Sequence, residues 1–442
     1  MTGDAVRTHY DRTRHAAART PAFVFNQLIP YIGNKRKLLN LIQTALRHTD
    51  ASHSCTFADM FAGSGVVSRM AKALGYRVIA NDWEPYARPI NTCYVACNRP
   101  PPFEVLGGYE QAIADLNSLP PRVGWVTEHL CPRDDNNYDT KVDRMFYMRK
   151  NGMRIDAIRH QIDVWRAGGL IDDTETCCLL APLLYQVCYR SNTSGVFKAF
   201  HKGWGGQTQT ALYRIATDLE LSPAVFFDNR RANQVLCQDA QSLAEELGGR
   251  ELDVVYLDPP YNQHPYGSNY HVLNTVTLWD APSLSRQITT GSKSAIRTDW
   301  RTERRSAYNY RSEATEAYRK LLHTLNARYV LTSYSTDGTI PLREMLLTNV
   351  ERGHVDVEMQ AYKRYRVSSQ RFSKKPMNVE FVLVLDTRRE SDVSADQLTE
   401  TIEAAETNVL SGKFAPARSS TRLPRNAKAN RKSQLNATSL AS

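Results

Sequence analysis

The sequence predicts an α/β domain with a parallel sheet that is split along the chain by a helical insertion. Two observations lead to this class. A strand, a glycine loop, a helix and a second strand follow one another in "TFADMFAGSGVVSRMAKALGYRVIAND", residues 56–82, which is the order of a βαβ unit. Short apolar runs typical of strands then resume in "NQVLCQDA", "LDVVYLDPPY", "RYVLTSYS" and "VEFVLVLD", whereas residues from about 100 to 225 are typical of helix and loop.

The composition is that of a globular protein with a basic surplus. Of the 442 residues, 42% are hydrophobic and 23% are charged, which is enough apolar material for a full core. The net charge of +10 favours a polyanionic partner. Residues 411–442 hold seven Lys or Arg and no Asp or Glu, and we expect them to form a disordered basic tail that adds affinity without specificity.

Signals for secretion, membrane insertion and metal binding are not seen in the sequence. Residues 1–23 are polar and Arg-rich, so we expect a flexible N-terminus without the apolar core of a signal peptide. The longest apolar stretch, "CCLLAPLLYQVCY", is too short to span a bilayer. None of the eight cysteines forms a CxxC pair or has zinc-finger spacing to histidine. We therefore expect a cytoplasmic protein with reduced thiols, no metal and no membrane contact.

The glycine loop "FAGSG", residues 61–65, is predicted to bind a ligand. It lies between a strand and a helix, where glycines let a ligand approach the backbone and the helix offers free N–H groups. Asp82 ends the next strand, where a carboxylate can accept both hydroxyls of a ribose. The loop has neither GxGxxG spacing nor a GK[ST] ending, which indicates a nucleoside without phosphates. The alternative is a tight strand–helix turn without a ligand.

The tetrapeptide "DPPY", Asp258 to Tyr261, follows the apolar strand "VVYL" and is predicted to hold an exocyclic amine of a nucleobase. Such an amine is a poor nucleophile because its lone pair is delocalised into the ring. Asp258 can accept one of its N–H groups and the carbonyl of Pro259 the other, so that the nitrogen becomes pyramidal and attacks an electrophilic methyl group. Pro260 stiffens the turn and Tyr261 can stack on the base. The alternative is a rigid turn without chemistry.

Taken together, "YIGNK", "FAGSG" and "DPPY" resemble the signature elements of the DNA adenine-N6 methyltransferases that use S-adenosylmethionine (SAM). Their order is similar to that of the group in which the YxGxK element precedes the glycine loop, and the resemblance covers roughly residues 25–387. It implies a Rossmann-like seven-stranded core. The implied domains are a catalytic domain of residues 24–100 and 226–390, a target-recognition insertion of residues 101–225, and a helical linker of residues 391–410.

The resemblance also implies site residues. Tyr31 and Lys35 would flank the methionine part of the cofactor, although Asn34 stands where the family often has glycine. Asp239 falls where the family binds the cofactor's adenine, but an Asp before Ala is equally explained as a helix N-cap. The implied catalytic residues are Asp258, Pro259, Pro260 and Tyr261. The implied cofactor-binding residues are Tyr31, Lys35, Phe61, Gly63, Gly65, Asp82, Asp239 and Asp258.

DNA contacts are predicted in two segments beyond the catalytic element. The stretch "NQHPYGSNYH", which contains Asn269, is expected to form a loop that closes over the target base. The stretch "YKRYRVSSQRFSKK" is basic and aromatic, and its Lys363, Arg364 and Arg366 are expected on the DNA backbone. Ordinary surface loops are the alternative for both. For "RTDWRTERRSAYNYR", which is mixed in charge, contact with DNA is left open.

The function implied is transfer of a methyl group from SAM to N6 of adenine in double-stranded DNA, with the adenine flipped out of the stack. The setting expected is a restriction–modification or phage-defence system in a prokaryotic cytoplasm, acting on the nucleoid, and a cognate restriction endonuclease is a candidate partner. An RNA adenine methyltransferase and an inactive SAM- and DNA-binding protein are the alternatives. Enzymes that methylate N4 of cytosine more often carry Ser in place of Asp258.

Overall fold

One seven-stranded sheet organises the computed structural model, which describes residues 22–284, 288, 297, 299, 302–363 and 377–411. The strands are β1 Thr56–Asp59, β2 Arg77–Asn81, β3 Gln234–Leu236, β4 Leu252–Leu257, β5 Ala327–Ser335, β6 His354–Lys363 and β7 Met377–Asp386. Their order is β3-β2-β1-β4-β5-β7-β6. Strand β7 is antiparallel to β5 and β6, and the other pairs are parallel. The predicted Rossmann-like α/β class is thus confirmed.

The central strands form where the sequence has unbroken apolar runs. Val254, Val255, Tyr256 and Leu257 of β4 are all buried, because a central parallel strand is covered on both faces. Strand β6 was not predicted on its own. Its sequence "HVDVEMQAYK" mixes charged and apolar residues, most of them half-buried, as befits a strand at the sheet edge.

Helices cover both faces of the sheet. They are α1 Leu39–Leu46, α2 Val66–Ala73, α3 Ala87–Asn91, α4 Tyr109–Ser118, α5 Trp125–Leu130, α6 Arg149–Ala167, α7 Asp173–Tyr189, α8 Leu212–Ala216, α9 Ala240–Glu246, α10 Tyr266–Asn269, α11 His271–Leu278, α12 Ala314–Thr324, α13 Leu342–Val350 and α14 Ala395–Leu410. Short 3-10 turns occur at Lys35–Lys37, Glu104–Leu106 and Ala307–Asn309. Within the described part of the chain, no helix has the length and apolar character needed to cross a membrane.

The helical segment between β2 and β3 shares its core with one face of the sheet. Ile158 of α6 and Leu183 of α7 belong to the same buried cluster as Phe57 of β1 and Tyr256 of β4. The opposite face packs on a second cluster, which contains Val255 of β4. The segment from α3 to α8 is therefore packed against the sheet, while the division into a recognition unit of residues 101–225 and the other domain bounds stay predictions.

Several predicted features fall outside the described residues. These are nearly all of the N-terminal segment 1–23, the tail from residue 412 onward, and Arg364 and Arg366 of the basic stretch. Lys363 is the last residue of β6. Helix α14 occupies the segment expected to be a helical linker, and a capping box between Ser394 and Gln397 starts it.

Candidate active site

A cavity of about 750 Å³ opens at the edge of the sheet where the parallel strands end. Six residues selected from the sequence line it: Tyr31, Phe61, Asp82, Asp239, Asp258 and Pro260. A smaller cavity of about 280 Å³ is lined by Lys35 and Gly63, and it shares Tyr31, Phe61 and Asp258 with the larger one. The carboxyl ends of β1, β2 and β4 thus bring together motifs that lie nearly two hundred residues apart.

The glycine loop follows β1 and has the left-handed backbone that glycine tolerates, with φ of 50° at Gly63 and 77° at Gly65. A Cβ atom on Gly65 would lie 2.3 Å from Asn91 Oδ1, and one on Gly63 would lie 3.1 Å from the Tyr31 ring. These two glycines therefore let the loop pass close to other side chains of the fold. Gly63 also lines the smaller cavity, whereas contact of Gly65 with a cofactor stays a prediction.

Asp82 follows β2, and its carboxylate is held by backbone groups. The Gly63 N–H donates to Oδ2 at 2.7 Å, and the Glu84 N–H donates to Oδ1 at 2.8 Å. Burial raises the pKa of Asp82 to about 6, although the two backbone hydrogen bonds act in the opposite direction. The result is a fixed carboxylate on the cavity wall.

Glu84, two residues further on, was not predicted from the sequence, yet it lines the same cavity. The Asn274 side chain of α11 donates to its Oε2 at 2.7 Å. Burial raises the pKa of Glu84 to about 7. Trp83, between the two acids, also lines the cavity, so this wall combines two carboxyl groups with an aromatic ring.

Asp258 is held differently, by a buried lysine. Lys35 Nζ lies 3.1 Å from Asp258 Oδ1, and the Lys35 side chain is 3% exposed. The same ammonium lies 5.0 Å from the centre of the Tyr261 ring. The resemblance placed Lys35 near the cofactor's carboxylate, whereas the structure pairs it with Asp258. Burial raises the pKa of Asp258, and Lys35 lowers it.

The two prolines after Asp258 occupy different positions. Pro259 is buried, whereas Pro260 lines the larger cavity. Tyr261 packs its edge against Tyr334 of β5, with ring centres 5.8 Å apart. The tetrapeptide is therefore anchored on the sheet at both ends, and its acid faces the cavity.

Asp239 caps a helix and also reaches the cavity. Its side chain accepts from the backbone N–H groups of Gln241 and Ser242, at 2.9 and 3.1 Å, at the start of α9. The capping alternative that the sequence left open is thus present in the structure. Contact of Asp239 with a ligand stays a prediction, and its place in the cavity wall is compatible with it.

The segment expected to form a loop over the target base is instead partly helical and buried. Tyr266 of α10 and Tyr270 both stack against Tyr31, with ring centres 5.1 and 4.8 Å away, and their own ring centres are 6.1 Å apart. Asn269 is 3% exposed, and its backbone carbonyl accepts from the Phe197 N–H at 2.7 Å. Its contact with DNA stays a prediction. The tyrosine stack joins the N-terminal motif to the segment after DPPY.

All eight cysteines are free thiols. Across the described residues, no cluster of His, Cys, Asp and Glu has an arrangement that could hold a metal ion. The candidate site is therefore built from carboxyl groups, a lysine and aromatic rings.

A mostly parallel seven-stranded sheet with DPPY at the end of β4 defines a methyltransferase that acts on an amino nitrogen. A model of the family "D12 class N6 adenine-specific DNA methyltransferase" matches residues 31–330. The chain belongs to this family, and it is a site-specific DNA methyltransferase that acts on adenine.

Curated relatives agree with this family. The chain is 32% identical to Type II methyltransferase M.NlaIII of Neisseria lactamica, over 76% of this chain and 92% of that protein. It is 30% identical to Type II methyltransferase M.CviAII of Paramecium bursaria Chlorella virus 1, over 76% of this chain and 93% of that protein. Identity to Modification methylase LlaI of Lactococcus lactis subsp. lactis is 31%, over 77% of this chain but only 52% of that longer protein.

Proposed function

We propose that the protein transfers a methyl group from SAM to N6 of an adenine that is flipped out of double-stranded DNA, and that Asp258 receives the adenine's amino group. The observation that carries this proposal is the position of Asp258, a half-buried carboxyl at the end of β4 that lines both cavities. The smaller cavity borders the glycine loop, so Asp258 stands where a cofactor and a base would meet.

The residues around the larger cavity fit SAM. Asp82 and Glu84 offer carboxyl oxygens for ribose hydroxyls, and Phe61 and Trp83 offer aromatic surface for an adenine ring. Lys35 and Tyr31 border the smaller cavity, where the methionine part would be held. When bound, SAM supplies a methyl group on a positively charged sulfur, which is a strong electrophile.

The protein's part in the reaction is to orient the amine and to stabilise its charge. Asp258 and the Pro259 carbonyl would accept the two amino hydrogens, so that the lone pair points away from the ring. Tyr261 would stack on the base. The amine loses its proton to solvent after attack, so the site needs no strong general base.

The helical segment of residues 101–225 is proposed to choose the DNA sequence. Its support is its place between two halves of one sheet, together with its packing on the face that contains Tyr256, next to Asp258. Exchanging this segment for that of a relative should change the methylated sequence. An active chimera that methylates the original sequence would move the readout elsewhere, most simply to the residues after Tyr261.

The tail of residues 411–442 is proposed to bind phosphates without sequence choice, and a tail that only aids solubility is the alternative. If about four to six of its charges engage DNA, removing them should flatten the slope of log affinity against log salt by roughly 4. Titration of full-length and truncated protein with non-cognate duplex at several salt concentrations measures this. Identical slopes would leave the solubility alternative.

The biological setting proposed is protection of cellular DNA beside a restriction endonuclease, in a prokaryotic cytoplasm and on the nucleoid. The relatives' names, "Type II methyltransferase" and "Modification methylase", support it. Sequencing DNA with modified-base detection, from cells that express the wild type or D258A, tests the activity and reveals the site. Methylated transcripts with unmethylated DNA would instead favour the RNA alternative.

A further inference from the structure

A buried glutamate on β7 has no role in the function described so far. Glu380 lies in the otherwise apolar stretch "NVEFVLVL" and is 4% exposed. It pairs in register with Ser335 of β5 and Gln360 of β6, so it stands inside the sheet. A buried carboxyl group is costly unless a partner compensates it, and proteins seldom place Glu there without one.

The partner of Glu380 is the lysine that also pairs with the catalytic tetrapeptide. Lys35 Nζ lies 3.8 Å from Glu380 Oε2 and 3.1 Å from Asp258 Oδ1. One buried ammonium is thus shared by two carboxyl groups that come from different strands. Asp258 lines both cavities, whereas Glu380 lines neither of these two. In this geometry Glu380 reaches the reaction only through Lys35.

Lys35, Asp258 and Glu380 form a charged trio, and its charge balance matters for the reaction. The target amine becomes positively charged as it receives the methyl group, so Asp258 must present negative charge to it. An ammonium 3.1 Å away would cancel that charge if it belonged to Asp258 alone. When Asp258 and Glu380 are both ionised, the second carboxylate gives Lys35, Asp258 and Glu380 together a net negative charge, and this restores the ability of Asp258 to stabilise the amine.

We infer that Glu380 is a positioning residue for the methyl-transfer reaction, which shares the buried ammonium of Lys35 with Asp258. The inference rests on the proposed role of Asp258. Glu380 sets both the position and the effective charge of the lysine, and it lines neither of the two cavities that contain Asp258.

The pH dependence of the methylation rate is a readout that a purely structural role of Glu380 would not change. Burial raises the pKa of Glu380 and Asp258, Lys35 lowers both, and the negative charge of Asp258 raises that of Glu380. Asp258 must be ionised to act, so activity is lost as the pH falls through its pKa. Removing the charge of Glu380 leaves Lys35 to Asp258 alone, which lowers the pKa of Asp258 and moves this acidic limb to lower pH.

Other titratable groups face the trio and are unchanged by that substitution. They are Asp59, whose pKa burial raises to about 7, and the hydroxyls of Tyr256, Tyr261, Tyr266 and Tyr362. The pKa of each of these tyrosines is above its usual value, so they stay neutral over the range that matters. A difference in the acidic limb between wild type and E380Q therefore reports on Glu380.

The experiment measures the single-turnover methylation rate against pH, at saturating SAM and DNA, with SAM affinity from calorimetry. E380Q should lower the plateau rate about tenfold, move the acidic limb to lower pH and leave SAM affinity within about threefold. E380D keeps the charge and should recover part of the rate. E358Q is the matched control, because Glu358 lies on the adjacent strand β6 and pairs with His48, 2.7 Å away, rather than with Lys35.

A double-mutant cycle shows whether Glu380 acts through the lysine. In a K35M background, E380Q should cause no further loss of rate. The inference is overturned if E380Q has the wild-type rate and the wild-type acidic limb of the pH–rate profile. It is also overturned if E380Q lowers the rate without moving the acidic limb and causes the same loss in the K35M background. D258N separates the two proposals: if it is inactive and E380Q is normal, only the role of Glu380 fails, whereas an active D258N overturns both.

Discussion

Two carboxyl groups at the ends of β2 and β4, the strands on either side of β1, line the same cavity but are held in different ways. Asp82, after β2, accepts two backbone N–H groups, from Gly63 and Glu84. Asp258, after β4, is instead paired with a side chain, the ammonium of the buried Lys35. Both carboxyls are half-buried, and desolvation raises the pKa of both.

This difference matches the tasks proposed for the two acids. Backbone dipoles are fixed, so they give Asp82 a rigid direction, which suits a group that binds the same ligand atoms before and after the reaction. A lysine side chain supplies a full positive charge, and a neighbouring carboxylate can change how strongly that charge acts on Asp258. This suits a group whose target changes charge during the reaction. Under the proposed function, the first carboxylate would serve SAM affinity and the second would serve the methylation rate.

The largest expected effect is on the Asp258 side of this comparison. D258A should lower the methylation rate by ~100-fold or more, since losing one such stabilising partner has costs of this order. SAM affinity should stay within a few-fold, because the carboxylate acts on the base. Single-turnover kinetics and calorimetry measure the two quantities. A variant with more than about a tenth of the wild-type rate would contradict the assignment.

At Asp82 the opposite pattern is expected, a loss of SAM affinity rather than of methylation rate. D82A removes the acceptor of two backbone N–H groups and the proposed acceptor of the ribose hydroxyls, so SAM affinity should fall by ~1–3 kcal/mol. The rate at saturating SAM should fall much less than in D258A. Unchanged affinity in calorimetry would mean that Asp82 only holds the glycine loop, and Glu84 would then be the carboxyl to examine.

A pH titration of SAM affinity sharpens the same contrast. The pKa of Asp82 is raised to about 6 and that of Glu84 to about 7, both by burial. Both groups are charged above these values, so affinity should be highest above neutral pH and should fall as the pH drops through them. For one group that must be ionised, the fall is about tenfold for each pH unit below its pKa. If D82N shows the same pH dependence as the wild type, the dependence belongs to Glu84.

The smallest effect is expected at Asp239, a third acid that follows a strand of the sheet. Asp239 is held by backbone N–H groups, as Asp82 is, but these belong to the helix that it caps. D239A removes a helix cap and should lower the free energy of unfolding by about 1 kcal/mol. D239N keeps a good cap but loses the charge. If its SAM affinity falls while its melting temperature holds, Asp239 touches the ligand. If neither changes, the residue is a cap alone.

The sequence allowed prediction of what local patterns determine. The βαβ unit is found between Thr56 and Asn81, close to the expected bounds, because its apolar spacing and glycines act over short distances. The run before DPPY is a buried central strand, as expected. Strand β6 was missed because its half-exposed residues lack the apolar pattern of the inner strands.

The part of the site that escaped prediction depends on contacts between distant residues. Lys35 and Asp258 are more than two hundred positions apart, and no periodicity links them. The same is true of Tyr31 and the two tyrosines that stack on it. A signal for Glu380 was present, an acid inside an apolar strand, but its partner emerges only from the folded sheet.

The strand order also has a consequence for how the protein is made. Strand β1 lies between β2, which follows it closely, and β4, which the ribosome adds nearly two hundred residues later. At about 5–20 residues per second, one edge of β1 waits some 10 to 40 seconds for its neighbour. During that time its N–H and C=O groups are unpaired, and open strand edges promote aggregation. Lys35 is without Glu380 for longer still, because Glu380 belongs to β7, the last strand to be synthesised. A nascent chain therefore has no complete catalytic centre, and chaperones that shield open edges should raise the yield of active enzyme.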